Sequence, residues 1–151
     1  MSENVIQVLL RQHQEIQNML SEMSGLLDSD SLDAAALVKE AERLENTLST
    51  HERCEEEILF PEVKGMGPVQ LVLQEHARLH TLRDNLSAAI LKLREQETDD
   101  NAAALKTCVQ EVAYCLSGHF MKEEQLAFKI AEVSITPERM AELTDKMNEI
   151  K

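Results

Sequence analysis

Residues 105–130 read LKTCVQEVAYCLSGHFMKEEQLAFKI, and the spacing of residues within this stretch predicts a helical fold. Residues suited to a buried face recur there in alternating steps of four and three, which is the spacing of one face of an α-helix. That face consists of Leu105, Val109, Val112, Leu116, His119, Glu123, Leu126 and Ile130. A histidine and a glutamate therefore occupy positions that apolar residues hold along the rest of the same face.

Three other stretches carry a face with the same alternating steps. These faces are Ile6, Leu9, His13, Ile16, Leu20, Met23 and Leu27; Leu37, Ala41, Leu44, Leu48, His51, Glu55 and Ile58; and Val69, Val72, His76, Leu79 with His80, Leu86, Ile90 and Leu93. Polar or glycine-rich turn signals at 28–33, 64–68 and 97–101 separate the four stretches. Thr136 followed by Pro137 is typical of the start of a further helix.

The sequence thus predicts an all-α fold, an antiparallel up-down-up-down four-helix bundle with a short C-terminal fifth helix. The predicted helices span about 3–27, 32–63, 68–96, 101–132 and 137–150. Aromatic residues make up only 3% of the chain, which argues against an all-β fold. The length of 151 residues fits a single domain over 1–151, with the bundle at about 3–132 and the extra helix at about 137–150.

The charge of the chain excludes two classes of partner. It carries 15 basic and 28 acidic residues, a formal net charge of −13 at pH 7. Such a surface repels nucleic-acid phosphates and anionic membranes, so we expect neither as a partner. Three cysteines without a CxxC pattern, and an N-terminus without an export signal, predict a cytoplasmic protein.

All five histidines of the chain belong to the predicted inward faces. His51 precedes Glu55 by four residues, and His119 precedes Glu123 by four, a spacing that places both side chains on one side of a helix. His76 and His80 have the same spacing. Counted from the turns, these pairs and His13 fall at one level of an up-and-down bundle. We therefore expect five imidazoles and two carboxylates in a single layer of the core.

A faint internal repeat gives this layer two similar halves. His51-Glu-Arg-Cys-Glu-Glu-Glu-Ile-Leu-Phe60 resembles His119-Phe-Met-Lys-Glu-Glu-Gln-Leu-Ala-Phe128, and Leu10-Arg-Gln-His13 resembles Leu73-Gln-Glu-His76. Buried polar groups without partners are unfavourable, and bound cations offset that cost. Imidazoles with shared carboxylates suit iron, manganese or zinc. Because His80 matches Gln17 in the repeat, one metal ion would receive three imidazoles and the other two, with an open position.

The order His, HisxxxGlu, HisxxxHis, HisxxxGlu resembles the hemerythrin family, including its bacterial HHE-type proteins, over about residues 8–130. The resemblance implies two Fe ions with an oxo or hydroxo bridge. It implies His76, His80 and His119 on one iron, His13 and His51 on the other, and Glu55 and Glu123 bridging both. Oxygen-carrying members place the last carboxylate five residues after its histidine, here Glu124, whereas HHE-type proteins use the fourth position. We choose Glu123 and keep Glu124 as the second choice.

The resemblance implies a non-haem di-iron protein that binds dioxygen, or another small diatomic or peroxide ligand, for oxygen binding, delivery or sensing. One alternative is a redox or stress protein that acts on nitric oxide or peroxide, or in the repair of iron centres. Another is iron storage or sensing. Turnover and irreversible oxidation in air would favour the first alternative, and exchangeable metal on which folding depends would favour the second.

Overall fold

The computed structural model describes residues 3–29 and 32–150, and this part of the chain is almost entirely helical, with no β-strand in it. The four long helices are α1 (Val5–Asp28), α2 (Ala34–Arg53), α3 (Gly67–Glu95) and α4 (Asp99–Lys122). A π-helical turn (Cys54–Leu59) and a 3-10 turn (Phe60–Glu62) extend α2. A second π-helical turn (Glu123–Ala127) joins α4 to α5 (Phe128–Ser134), and α6 is Pro137–Met147. Residues 30 and 31 of the predicted turn, and residues 1, 2 and 151 of the predicted domain, lie outside the described part.

Side-chain caps explain where the helices begin. The side chain of Asn4 accepts from the backbone N–H of Gln7, and the side-chain oxygen of Gln7 accepts from the backbone N–H of Asn4. Asp33, Thr98 and Thr136 cap α2, α4 and α6 in the same way, each with a side-chain oxygen that accepts from a backbone N–H three residues on. The predicted helix start at Thr136-Pro137 is therefore confirmed.

The apolar core divides into two clusters, one on each side of the predicted polar layer. The end cluster, beside α6, is formed by buried residues such as Val5, Leu9, Leu59, Phe60, Val69, Val72, Ala127, Phe128 and Leu143. The main cluster is formed by residues such as Ile16, Met23, Leu37, Leu44, Leu48, Leu79, Leu86, Leu93, Leu105, Val112 and Leu116. Helices α1 and α3 run from the end cluster to the main cluster, and α2 and α4 run back. This alternation confirms the predicted all-α up-down-up-down bundle.

The π-helical turn after Lys122 moves the buried face by one residue. Leu126, predicted to face the core, is 45% exposed, whereas Ala127 and Phe128 are buried. A π turn contains one residue more than an α-helical turn, so the residues after it rotate around the axis. The next inward position accordingly falls at Ala131 rather than at Ile130. The predicted face was therefore wrong at Leu126, while Ile130 is partly buried at the edge of the end cluster.

Helix α6 closes the end cluster, because Leu143 is almost fully buried within it. We expect Leu143→Ala to lower the free energy of unfolding by about 2–5 kcal/mol, since the change removes buried apolar surface and leaves a cavity. Leu71→Ala is the matched control: Leu71 is 60% exposed, so the same change there should stay within about 0.5 kcal/mol. Urea unfolding followed by circular dichroism measures both. Equal effects of the two changes would contradict the packing of α6 on the bundle.

None of the helices in residues 3–29 and 32–150 combines the length and the hydropathy needed to cross a membrane.

Candidate metal centre

Six ionisable side chains meet in the layer between the two apolar clusters, and none is more than 4% exposed. Each of the four long helices contributes one imidazole to this inner set. The two π-helical turns contribute one carboxylate each. The members of the inner set are His13, His51, Glu55, His76, His119 and Glu123.

Both carboxylates of the inner set lie on π-helical turns. The backbone N–H of Phe60 donates to the carbonyl oxygen of Glu55, and that of Phe128 donates to the carbonyl oxygen of Glu123, each five residues back. Such widened turns occur mostly as single insertions in α-helices, frequently at functional sites. Each follows a histidine of the inner set by three or four residues, so the internal repeat of the sequence is also a repeat of local structure.

The imidazoles form two pairs whose Nε2 atoms point to the centre of the layer. In the first pair, the Nε2 atoms of His13 and His51 are 3.1 Å apart. In the second, the rings of His76 and His119 are 5.0 Å apart between centroids. Two nitrogens bound to one ion at about 2.1 Å would be roughly 3.0–3.4 Å apart for octahedral to tetrahedral angles. The first pair therefore already has the spacing of two ligands on one ion.

Glu123 divides its two oxygens between the two imidazole pairs. Its Oε1 lies 3.0 Å from His13 Nε2, and its Oε2 lies 3.3 Å from His119 Nε2. Glu55 does the same from the opposite side, with Oε2 at 3.2 Å from His51 Nε2 and Oε1 at 3.5 Å from His76 Nε2. Each carboxylate thus has one oxygen at each of two neighbouring positions, which is the arrangement of a bridging ligand.

The inner set does not satisfy its own hydrogen-bonding capacity. Among the described residues, both oxygens of Glu55, Oε2 of Glu123 and Nε2 of His76 are buried without a hydrogen-bond partner. Buried polar atoms are nearly always paired, so four such atoms in one layer call for a further group. All four are ligand types for divalent metals, and two groups of four side chains have ligand atoms within 4.8 Å of one another. The residues present therefore fit a pair of metal ions.

An outer ring of polar side chains holds the imidazoles in this orientation. It consists of Gln12, Glu56, Glu75 and Glu124, each of which lies at the Nδ1 atom of one buried histidine, at 2.8–3.2 Å. An acceptor at Nδ1 fixes the proton there and leaves Nε2 free to bind a metal ion. Sequence analysis missed Gln12, Glu56 and Glu75 as site components, and it considered Glu124 only as the second choice for a metal ligand. A signal was present, because each adjoins a residue of the inner set in the chain.

The charges of the inner set are strongly coupled. Burial opposes protonation of His51, but the charges of Glu55 and Glu123 outweigh it and raise the pKa of His51 to about 10. Burial likewise opposes protonation of His76, but the nearby carboxylates of Glu123 and Glu55 outweigh it and raise the pKa of His76 to about 11. The same balance raises the pKa of His119. In the metal-free protein, protons on the imidazoles therefore neutralise charge that metal ions would otherwise neutralise.

The two carboxylates titrate in opposite directions. Burial and the negative charge of Glu123 raise the pKa of Glu55. Burial also opposes the charged form of Glu123, but Glu55 and the imidazoles around it hold the pKa of Glu123 well below its usual range. One carboxylate in the layer is thus charged and the other holds its proton more readily, as expected for two acids at close range.

His80 is the one predicted site residue that the structure does not bring to the layer. Its side chain is 54% exposed, and its Nε2 lies 3.0 Å from Oε2 of Glu52 on α2. The inward position on that turn of α3 belongs to Leu79, which is buried. The expectation that His80 faces the core is therefore wrong. Together with Glu52 and Glu56, His80 forms a separate and partly exposed group of potential ligand atoms.

The structure also distinguishes the two candidate carboxylates at the end of α4. Glu123 is fully buried between the imidazole pairs. Glu124, the second choice from the sequence, is 43% exposed and reaches the layer from outside, with Oε2 at 3.2 Å from His13 Nδ1. Glu124 therefore contacts the outer nitrogen of an imidazole and belongs to the outer ring.

Comparison with known families agrees with this arrangement. A family model described as the hemerythrin HHE cation-binding domain matches residues 4–131. The matched segment contains the whole inner set, the outer ring and His80. No curated protein and no solved structure matched the chain. The sequence-based resemblance to this family is thereby confirmed.

Proposed function

Because the chain belongs to the hemerythrin HHE cation-binding family, we propose that it binds two iron ions in the buried layer and binds dioxygen there for oxygen binding, delivery or sensing. One observation carries the proposal: Glu55 and Glu123 each divide their oxygens between the same two imidazole pairs. Two bridging carboxylates within a helical bundle are the arrangement of di-iron carboxylate proteins. The bound iron pair, with an oxo or hydroxo bridge, would supply the electrons for binding oxygen.

The protein contributes orientation and exclusion of water. The outer ring fixes each imidazole by its Nδ1 atom, so that Nε2 faces the ions. Phe120 stacks on the ring of His13 at 3.7 Å between centroids, and Phe128 stacks on the same ring at 5.5 Å. With an apolar cluster above and below it, the layer is shielded from bulk solvent, which would favour a small apolar ligand.

His80 remains a predicted ligand for the ion held by His76 and His119. To bind that ion, its side chain must leave Glu52 and turn inward. If it does so, His80→Ala should lower the affinity for one of the two ions and leave the affinity for the other unchanged. An unchanged affinity for both ions would restrict the ligands to the inner set. Competition with a chromophoric chelator measures the two affinities.

The first experiment is to quantify iron per chain, then to reduce the protein without oxygen and admit air while absorption is recorded. The proposal expects about two iron ions per chain and a charge-transfer band that appears in air and disappears under vacuum. Immediate conversion to a stable oxidised spectrum would indicate redox chemistry, and nitric oxide and peroxide would then be tested as substrates. A folded protein that binds no iron would overturn the proposal.

Metal binding should release protons. At pH 7, which lies below the raised pKa values of His51 (about 10) and His76 (about 11), both imidazoles are protonated in the metal-free protein. A metal ion can bind Nε2 only after that proton has left. We expect at least two protons per chain to be released at pH 7 when Zn²⁺ is added in weak buffer with a pH indicator, and metal affinity to fall as the pH is lowered. Release of less than one proton per chain would contradict the charge state described for the layer.

A further inference from the structure

The outer ring repeats the approximate twofold symmetry of the inner set. Gln12 and Glu75 each precede a buried histidine, and Glu56 and Glu124 each follow a buried glutamate. Each of these residues reaches an imidazole of another helix. The four contacts are Gln12 to His51, Glu75 to His119, Glu56 to His76 and Glu124 to His13.

The chemistry of the ring departs from this symmetry at one pair of positions. Gln12 presents a neutral amide oxygen to Nδ1 of His51 at 2.9 Å. Glu75 presents a carboxylate oxygen, Oε1, to Nδ1 of His119 at 3.0 Å. Lys122 binds the other oxygen of Glu75, Oε2, and so orients the carboxylate while leaving Oε1 to the imidazole. The distances are nearly equal, so the difference between the two positions is one of charge.

The remaining two contacts favour the same half. Glu56 lies 2.8 Å from Nδ1 of His76, and Glu124 lies 3.2 Å from Nδ1 of His13. Both carboxylates are equally exposed at 43%, so solvent screens them to a similar degree. The shorter contact is again in the half with His76 and His119. That half therefore has two well-placed carboxylates behind its imidazoles, whereas the other has one more distant carboxylate and one amide.

A carboxylate that accepts from Nδ1 makes the opposite nitrogen a stronger electron donor. Loss of such a partner typically lowers metal affinity by about 10- to 100-fold. An amide oxygen is a weaker acceptor because it carries no net charge. We propose that the two halves of the centre bind metal unequally, that the half with His76 and His119 fills first, and that Gln12 keeps the other half weak. This inference rests on the proposed binding of two metal ions and adds an order of loading to it.

The test is a pair of reciprocal substitutions, Gln12→Glu and Glu75→Gln, titrated with Zn²⁺ against a chromophoric chelator. The wild-type protein should show two binding steps that differ by at least about tenfold. Gln12→Glu should tighten the weak step, and Glu75→Gln should loosen the tight step, by about tenfold or more in each case. A residue needed only for folding would not give effects of opposite sign. His119→Ala should abolish the tight step, and His51→Ala the weak one.

Two controls isolate the effect of the contact. Gln14→Glu on α1 and Glu111→Gln on α4 make the same charge changes at exposed positions outside the ring, and should leave both steps unchanged. Repeating the reciprocal pair in a His80→Ala background removes the third imidazole as a source of asymmetry. Equal wild-type steps, or effects of the same sign from both substitutions, would overturn the inference while leaving the metal centre intact. A wild-type protein that binds no Zn²⁺ and no iron would overturn the proposed function as well.

Discussion

Glu123→Ala should leave a folded protein with almost no bound metal, whereas Glu124→Ala should retain both ions. Glu123 is the side chain that approaches all four imidazoles, with Oε1 towards His13 and His51 and Oε2 towards His76 and His119. If two ions are bound as proposed, its removal would take one ligand from each ion at once and would leave Glu55 as the sole bridge among the inner set. Since a single lost ligand already weakens a site strongly, we expect a loss of at least about 100-fold in affinity at both positions.

Glu124→Ala is the matched control, because it makes the same chemical change one residue away on the same π-helical turn. Its carboxylate lies at the outer nitrogen of one imidazole, that of His13, so its loss should weaken the binding of one ion by about tenfold and remove neither ion. Iron or zinc per chain, measured after gel filtration, distinguishes the two outcomes. Glu123→Gln preserves the shape of the side chain and guards against a folding defect. A full complement of metal in Glu123→Ala, or its loss in Glu124→Ala alone, would show that the wrong carboxylate has been placed at the centre.

Loading with metal should raise the thermal stability of the protein strongly. A ligand that binds the folded state alone stabilises it by about 2.7 kcal/mol at a concentration 100 times its Kd, so two such sites contribute roughly 5 kcal/mol. For a chain of this length, that corresponds to an increase in Tm of roughly 10–20 °C. The structural reason is that the layer separates the two apolar clusters with buried atoms that have no partner among the described residues. Bound ions would pair those atoms.

Scanning calorimetry of the chelator-treated protein, with and without added Zn²⁺, measures this increase. Glu123→Gln serves as the control, since its Tm should respond little to the same concentration of Zn²⁺. Zn²⁺ is preferred to iron here because it undergoes no redox reaction during heating. A wild-type Tm that stays constant while two ions are bound would contradict the coupling between the centre and the fold.

The bundle and all six residues of the inner set could be predicted from the sequence because both depend on a local rule. Alternating steps of three and four residues define one face of each helix, and short turns place the four faces opposite one another. His13, His51, His76 and His119 all follow this rule. The level at which they meet follows from counting residues from the turns, since the rise per residue in a helix is constant.

His80 could not be placed by the same rule, because its position depends on other helices. Both Leu79 and His80 lie close to the inward face of α3, and the sequence does not say which of them turns inward. Burying the apolar side chain is favourable, whereas His80 finds a carboxylate partner at Glu52, which in turn binds the buried guanidinium of Arg83. That partnership joins α2 to α3 and is visible only once the helices are packed.

The π-helical turns also could not be predicted from the periodic pattern of the sequence. A periodic face assumes a constant rotation per residue, and one inserted residue at Glu123–Ala127 changes the phase of everything after it. The correct inward residues Ala127 and Phe128 are adjacent in the chain, so no pattern with steps of three and four would select both. Gln12, Glu56 and Glu75 were missed for a related reason, since they occupy ordinary solvent-facing positions until the neighbouring helix is present.

The twofold repeat of the centre has a consequence for its origin. Each half of the chain is a helical hairpin that supplies one imidazole pair and one carboxylate placed between the two pairs. Each half also supplies one outer-ring residue for its own imidazole pair and one for the opposite pair. Two copies of one such hairpin, associated around a true twofold axis, would generate the same set of ligands. Duplication and fusion of an ancestral hairpin would therefore yield this architecture in a single step. A fused chain, unlike a symmetric dimer, lets the two copies diverge independently, and the difference between Gln12 and Glu75 is the kind of divergence that fusion permits.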